Sequence, residues 1–199
     1  MKGYIKLRKK ALDDLNSKLS SKLSYHSVDH TLDALQTCEL YLKHLNIDKY
    51  QAKLLRIGIL LHDIGFTATI VEHEAKGAEI ATEMMSDLGF SKEDIQIVVG
   101  LILSTKVPQQ PHTVLEQIIC DVDLDYLGRD DFYPIGNLLF KELKAYSLVT
   151  DLNDWNKLQI KFLENHKYHT DFAKKNRQPE KEKRIAELKK LINPNSSYS

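Results

Sequence analysis

Leu54-Leu55-Arg56-Ile57-Gly58-Ile59-Leu60-Leu61 runs straight into His62-Asp63-Ile64-Gly65, and the reading of this stretch decides the fold. Its first part is apolar almost all round, so the helix it predicts is buried on most sides. His62-Asp63 closes that helix, and Gly65 stands where a helix stops. Such a helix carries an imidazole and a carboxylate to the interior, where unpaired polar groups cost free energy. Neighbouring helical residues diverge by about 100°, so the two side chains would not normally meet. At a helix end the backbone turns, and the carbonyl end of the dipole favours a cation nearby.

Outward from this stretch, apolar residues recur at helical spacing, without convincing strand-type alternation. Ile5, Leu12, Leu15 and Leu19 predict an amphipathic helix over about 4–19. Val28, Leu32, Leu35, Leu42 and Leu45 form the stripe of a second helix over 27–45, and the buried helix spans about 47–62. A helix from His73 to Leu88 ends at Gly89, and Ser91 with Asp94 predicts a capped start for another through Leu103. Pro108 and Pro111 break the chain before a helix from Thr113 to Leu127 that ends at Gly128. Further helices are expected near 134–148, 154–167 and 179–192, with a flexible tail over 193–199. The expectation is an all-α, single-domain bundle of about eight to nine helices: an N-terminal helix over 1–19, a core over 20–130, and C-terminal helices over 131–192 packing on that core.

Composition narrows the function classes. The 199 residues carry 28 Lys+Arg and 28 Asp+Glu, a formal charge of zero. That balance argues against a globally basic nucleic-acid binder and against an acidic disordered chain. Eight Gly and five Pro are too few for a turn-rich β-sandwich, and a 42% hydrophobic content supports a core without staples. Cys38 and Cys120 form neither a disulfide framework nor a CxxC pair. The longest apolar run, Ile97 to Leu103, is far short of the roughly 20 residues that span a bilayer. The basic N-terminus has no apolar signal core, so a cytoplasmic protein is expected, with neither a nucleic-acid polymer nor a membrane as partner. A homodimer stays open.

Four segments put His or Asp beside apolar helix positions: Tyr25-His26-Ser27-Val28-Asp29-His30-Thr31-Leu32, His62-Asp63-Ile64-Gly65, His73-Glu74-Ala75-Lys76-Gly77-Ala78 and Asp121-Val122-Asp123-Leu124. His30 lies about 100° from the centre of its stripe, beside Ala34 and Tyr41, and His26 is four residues earlier on nearly the same side. Asp123 flanks the stripe of Leu115, Ile119, Val122 and Tyr126, whereas Asp121 points about 160° away from it. Read singly, each has a plain alternative as a helix-end or boundary group with its own hydrogen bond. Neutral imidazole together with carboxylate also suits a borderline or hard divalent ion.

In order, the set of His, His-Asp and Asp on separate helices resembles the HD superfamily of metal-dependent phosphohydrolases, and Leu61-His62-Asp63-Ile64-Gly65 resembles its HDIG variant. The resemblance covers roughly residues 20–130. It implies His30, His62, Asp63 and Asp123 as ligands of one divalent ion, with Mn, Fe, Zn, Mg, Co and Ni all compatible. Asp123 is preferred to Asp121 because Val122-Asp123-Leu124 matches the family's last-ligand context. The implied reaction is attack by metal-activated water on a small phosphate ester, first of all a nucleotide, as monoester or cyclic diester. Asp63 then stands at the reacting centre. His26 is the candidate proton donor to the leaving oxygen, because similar phosphodiesterases use a His four before the first ligand. His73, Lys106 and Arg129 are candidate substrate-phosphate contacts, against plainer readings as a helix-start histidine and surface cations.

Departures from the family pattern are informative as well. Two-metal members carry a further His near the end of the next helix, where this chain has Leu103-Ser104-Thr105-Lys106, which argues against a second metal. No acidic pair follows His62-Asp63 as in the hydrolases of guanosine tetraphosphate. Phe66 stands where bacterial deoxynucleoside monophosphatases of this fold carry an acid. The signatures of deoxynucleotide triphosphohydrolases, cyclic di-nucleotide hydrolases and mammalian-type cyclic nucleotide phosphodiesterases are missing. Two rival readings are the mixed-valent di-iron oxygenase of the same fold, which needs more histidines than the chain offers, and a non-catalytic regulatory module. Trp155 and Phe162, seven apart, read as core packing rather than as a base-stacking platform.

Overall fold

The computed structural model describes residues 2–192, so the tail expected over 193–199 lies outside them. The helices are α1 Lys2–Lys18, α2 Val28–His44, α3 Lys49–Leu61, α4 His73–Asp87, α5 Lys92–Ser104, α6 Val114–Asp123, α7 Phe132–Ala145, α8 Leu152–Asn165, α9 Asp171–Asn176 and α10 Gln178–Ile192. Two 3-10 turns, Ile64–Thr67 and Asp125–Gly128, complete the regular structure, and no strand occurs among the described residues. The protein is all-α, as the spacing predicts; the short α9 is the helix that apolar periodicity did not reveal. None of the described helices is long and apolar enough to cross a membrane.

The helix starts are chemically specified. Asp48 accepts from the backbone N–H groups of Tyr50 and Gln51, and Ser91 accepts from that of Asp94 at 3.1 Å. Before α6, Thr113 accepts from the Glu116 N–H at 3.2 Å while Glu116 accepts from the N–H groups of His112 and Thr113, a reciprocal cap.

Contacts gather into two compact units, Met1–Asp123 and Leu124–Ser199. In the first, α3 is the central element, with Leu54, Ile57, Leu60 and Leu61 of that helix buried together with Leu7 and Leu15 of α1, Met84 and Met85 of α4, and Val98 and Ile102 of α5. Each such side chain contributes about 1.5–3 kcal/mol on burial. In the second unit, Phe132, Trp155, Leu163, Tyr168 and Leu188 are buried, and Trp155 stacks on Phe140 at 6.0 Å between ring centroids.

Three local expectations are corrected. The buried face of α1 is Leu7, Ala11 and Leu15, and Ile5 points to solvent at 65% exposure. In α2 the buried residues are Thr31, Ala34, Thr37, Cys38 and Tyr41, while Leu32 is exposed. Through this face α2 packs on α3 and α6, so the flank that carries His30 is the buried side. Finally, α6 stops at Asp123 instead of running to Leu127. Leu124 leaves helical geometry at φ −106°, ψ 20°. The Tyr168 hydroxyl then donates toward the carbonyls of Leu124 and Asp125, at 3.3 and 3.4 Å, and Arg177 donates to the Asp125 carboxylate at 2.8 Å.

Gly65 has a different task from the expected helix stop. The chain passes through it in a 3-10 turn, and a Cβ there would lie 1.8 Å from the His73 carbonyl oxygen and 2.7 Å from the Gly77 nitrogen. Gly77 in turn leaves only 3.3 Å between its own would-be Cβ and the Gly65 nitrogen. The glycine pair lets the segment after His62-Asp63 lie directly on the first turn of α4. Gly65→Ala is expected to destabilise the protein by about 3 kcal/mol or more, because the obstacle is backbone. Gly89→Ala, where φ is +74° and nothing lies within 4 Å, is expected to lose only about 1 kcal/mol. Urea unfolding of the two variants checks the contrast.

Candidate metal centre

Asp63 adopts φ −102°, ψ 7°, so the chain changes direction between the last residue of α3 and the 3-10 turn. This bend lets adjacent side chains converge, and His62 Nε2 lies 3.2 Å from Asp63 Oδ2. Helix α2 brings His30, whose Nε2 is 3.1 Å from His62 Nε2 and 3.5 Å from Asp63 Oδ2. The last residue of α6 supplies Asp123, with Oδ1 3.3 Å from His30 Nε2 and 3.4 Å from His62 Nε2. The ligand atoms of His30, His62 and Asp123 all fall within 4.8 Å of one another, and Asp63 joins them through both imidazoles. It is Asp123 that meets the imidazoles; Asp121, fully buried, has partners of its own.

The donor chemistry fits a cation. His62 Nδ1 lies 2.7 Å from the Ile59 carbonyl oxygen, which can only accept, so Nδ1 carries the proton and a neutral His62 presents the Nε2 lone pair to the centre. Two Nε2 atoms facing each other at 3.1 Å repel unless a proton or a metal ion lies between them. Asp63 Oδ2 is buried with no hydrogen bond. Four acceptors shut away together are costly without a positive charge. The protonation pattern carries the same message. Burial pushes the His62 pKa down, yet the Asp63 and Asp123 carboxylates more than reverse this and hold the imidazole well above its ordinary value. Burial acts to raise both carboxyls, but His62 and, less strongly, His26 and His30 bring Asp63 far below the usual range; His30 and His62 hold Asp123 at about 2. The side chains of His30, His62 and Asp63 are each under 10% exposed, so a bound ion would be largely dry.

Around this quartet stands a column of rings. His26 stacks on Phe66 at 4.2 Å, and Phe66 stacks on His73 at 3.8 Å. Phe66 thus stacks on each of the two imidazoles that are not ligands, whose own centroids are 6.2 Å apart. His26 lies outside α2, just before the Ser27 cap, rather than one turn below His30 on the same helix. His73 Nε2 is 3.9 Å from Asp63 Oδ1 and 3.5 Å from Glu74 Oε1. Tyr25 lays its ring 4.6 Å from that of His30. Of the two candidate phosphate cations, Lys106 pairs with Glu72 at the surface, and Arg129, in the second unit, forks onto Asp131. Sequence reading missed the roles of Phe66, Tyr25 and the Ile59 carbonyl. Tyr25 opens one of the quoted segments and Phe66 follows another, but no spacing rule announces this ring stacking or a tautomer-fixing carbonyl.

Where the further histidine of two-metal members would fall, the Ser104 carbonyl accepts from Cys120 Sγ at 3.1 Å. Burial pushes that thiol up to about 12, so Cys120 is not a ready thiolate ligand.

Residues 27–125 match the HD domain family model, and through that stretch the chain belongs to the HD family. This places it among metal-dependent hydrolases and related HD modules. No curated protein and no solved structure matches the chain.

Replacing either His30 or Asp123 by Ala is expected to weaken binding of a divalent ion such as Mn by at least about a hundredfold, while Asp121→Asn retains it. Calorimetric titration of the chelator-stripped protein measures both.

Proposed function

We propose that the protein is a metal-dependent phosphohydrolase acting on a small phosphate ester, with a nucleotide monoester or cyclic diester as the first substrate class to test. The observation that carries this reading is the convergence of two imidazoles and two carboxylates at the junction of α2, α3 and α6. His30, His62, Asp63 and Asp123 would hold one divalent ion; its identity among Mn, Fe, Zn, Mg, Co and Ni is not specified by these ligands. Such an ion lowers the pKa of a coordinated water and polarises a phosphoryl oxygen.

The chain's own groups supply the rest. The Ile59 carbonyl keeps the His62 proton on Nδ1, so the ring does not turn from ligand to acid. Phe66 stacks on both His26 and His73, fixing two imidazoles at the rim beside Asp63. His26 is the proton donor to the leaving oxygen. His73 is the phosphate contact, with its Nε2 directed between Asp63 and Glu74. Lys106 and Arg129 are paired with carboxylates that are not ligands, whereas His73 faces the ligand Asp63, which ranks them below His73.

The test is a panel of nucleotides and sugar phosphates assayed with protein loaded with each metal in turn, and Asp63→Ala as the blank. Turnover is expected to need metal and to vanish in that variant. Turnover that survives it, or oxygen consumption with two irons bound, would overturn the reading. A melting temperature that falls on chelation, with no ester turned over, would point instead to a structural ion.

His26→Ala separates the acid from the ligands. It is expected to lower kcat by about 10²–10⁴ on alkyl phosphate esters and far less on p-nitrophenyl phosphate, whose leaving group needs no proton.

A further inference from the structure

The second unit contains a cleft of about 560 Å³ that plays no part in the metal centre. It lies between the C-terminal end of α8, the segment 166–168 and the first half of α10. Lys181 of α10 is among its lining residues and is only 2% exposed. Buried lysines ordinarily have a carboxylate partner. Among the described residues no carboxylate is ion-paired with Lys181, though the charge of Glu182 pulls on it. Its Nζ donates to the His166 carbonyl oxygen at 2.6 Å, lies 3.3 Å from His166 Nδ1, and stands 5.4 Å from the centre of the Tyr168 ring. An ammonium has three donors, and the protein offers one carbonyl and one ring nitrogen. Lys181 also sits in the first turn of a long helix, where the dipole favours an anion over a cation.

The surroundings add positive charge. Lys167 and Lys174 line the same cleft, both exposed and neither ion-paired. Of the two carboxylates there, Glu164 is already paired with Lys189 at 2.6 Å, and Glu182 accepts from Gln178 at 2.9 Å. Burial pushes Lys181 down to about 8, against the opposing pull of Glu182. Leu163 and Ile185 give the cleft an apolar side.

We infer that this cleft binds a dianionic phosphate group, with Lys181 at its floor and Lys167 and Lys174 at its rim. Three separate ammonium groups match a ligand with three oxygens and two charges better than a carboxylate, which has two oxygens and one charge. The phosphate is either free or borne by a small ester whose body rests on Leu163 and Ile185. A cap for the α8 carbonyl end explains one hydrogen bond of Lys181, but neither the missing counter-ion nor the two further lysines.

The experiment uses the full chain carrying Asp63→Ala, in chelator, so that the metal centre contributes nothing and the result is independent of the function proposed above. Inorganic phosphate and phenyl phosphate are each titrated by calorimetry. Binding is expected with a dissociation constant of about 1 mM or below, weakened at least about tenfold by Lys181→Met and about threefold by Lys167→Gln or Lys174→Gln. Lys181→Met is also expected to unfold no more easily than its parent in phosphate-free buffer, since it removes an uncompensated buried charge. Tighter binding of phenyl phosphate identifies an ester ligand, and equal binding identifies phosphate itself. If Lys181→Met does not fold, the Lys167→Gln, Lys174→Gln double variant carries the test with an expected loss of about tenfold. No binding at about 10 mM, or binding that none of these substitutions weakens, overturns the inference.

Discussion

Two imidazole nitrogens held 3.1 Å apart, with a carboxylate oxygen on either side, form a concentration of lone pairs that no folded chain would assemble for stability alone. Each of these groups would be better solvated in water. They stay together because the elements that carry them are fixed for other reasons: α3 by its nearly complete apolar burial, α2 by its small buried face, and α6 by its capped start and early stop. The packing energy of the helices is thus what keeps the acceptors in confrontation, and positive charge at their centre relieves it. The same arrangement explains why the imidazole and carboxyl pKa values move in opposite directions despite a shared burial.

Beyond the quartet, the structure separates ligation from proton transfer by position. His30 and His62 turn their Nε2 atoms inward, and the Ile59 carbonyl locks one of them in that state. His26 and His73 instead stack on the phenyl ring of Phe66. Four histidines within one site are therefore not interchangeable, and the difference lies in what touches each ring rather than in the ring itself. Gly65 makes this division feasible, since only a backbone without Cβ there brings the start of α4, and with it His73, against the turn that carries Phe66; Gly77 leaves a tight 3.3 Å on the other side.

The helical architecture was legible because apolar spacing and caps are local signals. Asp48 and Ser91 do at the backbone what their positions announce. The four ligand positions were legible through their order along the chain, although no one of them stood out from an ordinary buried polar group. What escaped was decided at a distance or by size. The buried side of α2 is built from Ala34, Cys38 and Tyr41, and a reading that weighs bulky aliphatics favours Leu32 instead. The turn Asp125–Gly128, where a longer helix was expected, is held by Tyr168 and Arg177, more than forty residues further on, which no window around Asp123 contains. Gly65 looked like a terminator, yet its real constraint is the His73 carbonyl across the fold.

The burial of α3 reaches past packing. Because Ile59, Leu60 and Leu61 are no more than 1% exposed and the helix delivers His62 and Asp63 at its end, these two groups are anchored to the best-protected stretch of the first unit. Amides in such a stretch exchange with solvent only when the surrounding structure opens as a whole. Ligation and cooperative melting are thereby tied to one event: the centre has no loose hinge through which it could fray by itself, and heat should disable the site and dissolve the helical core in the same transition.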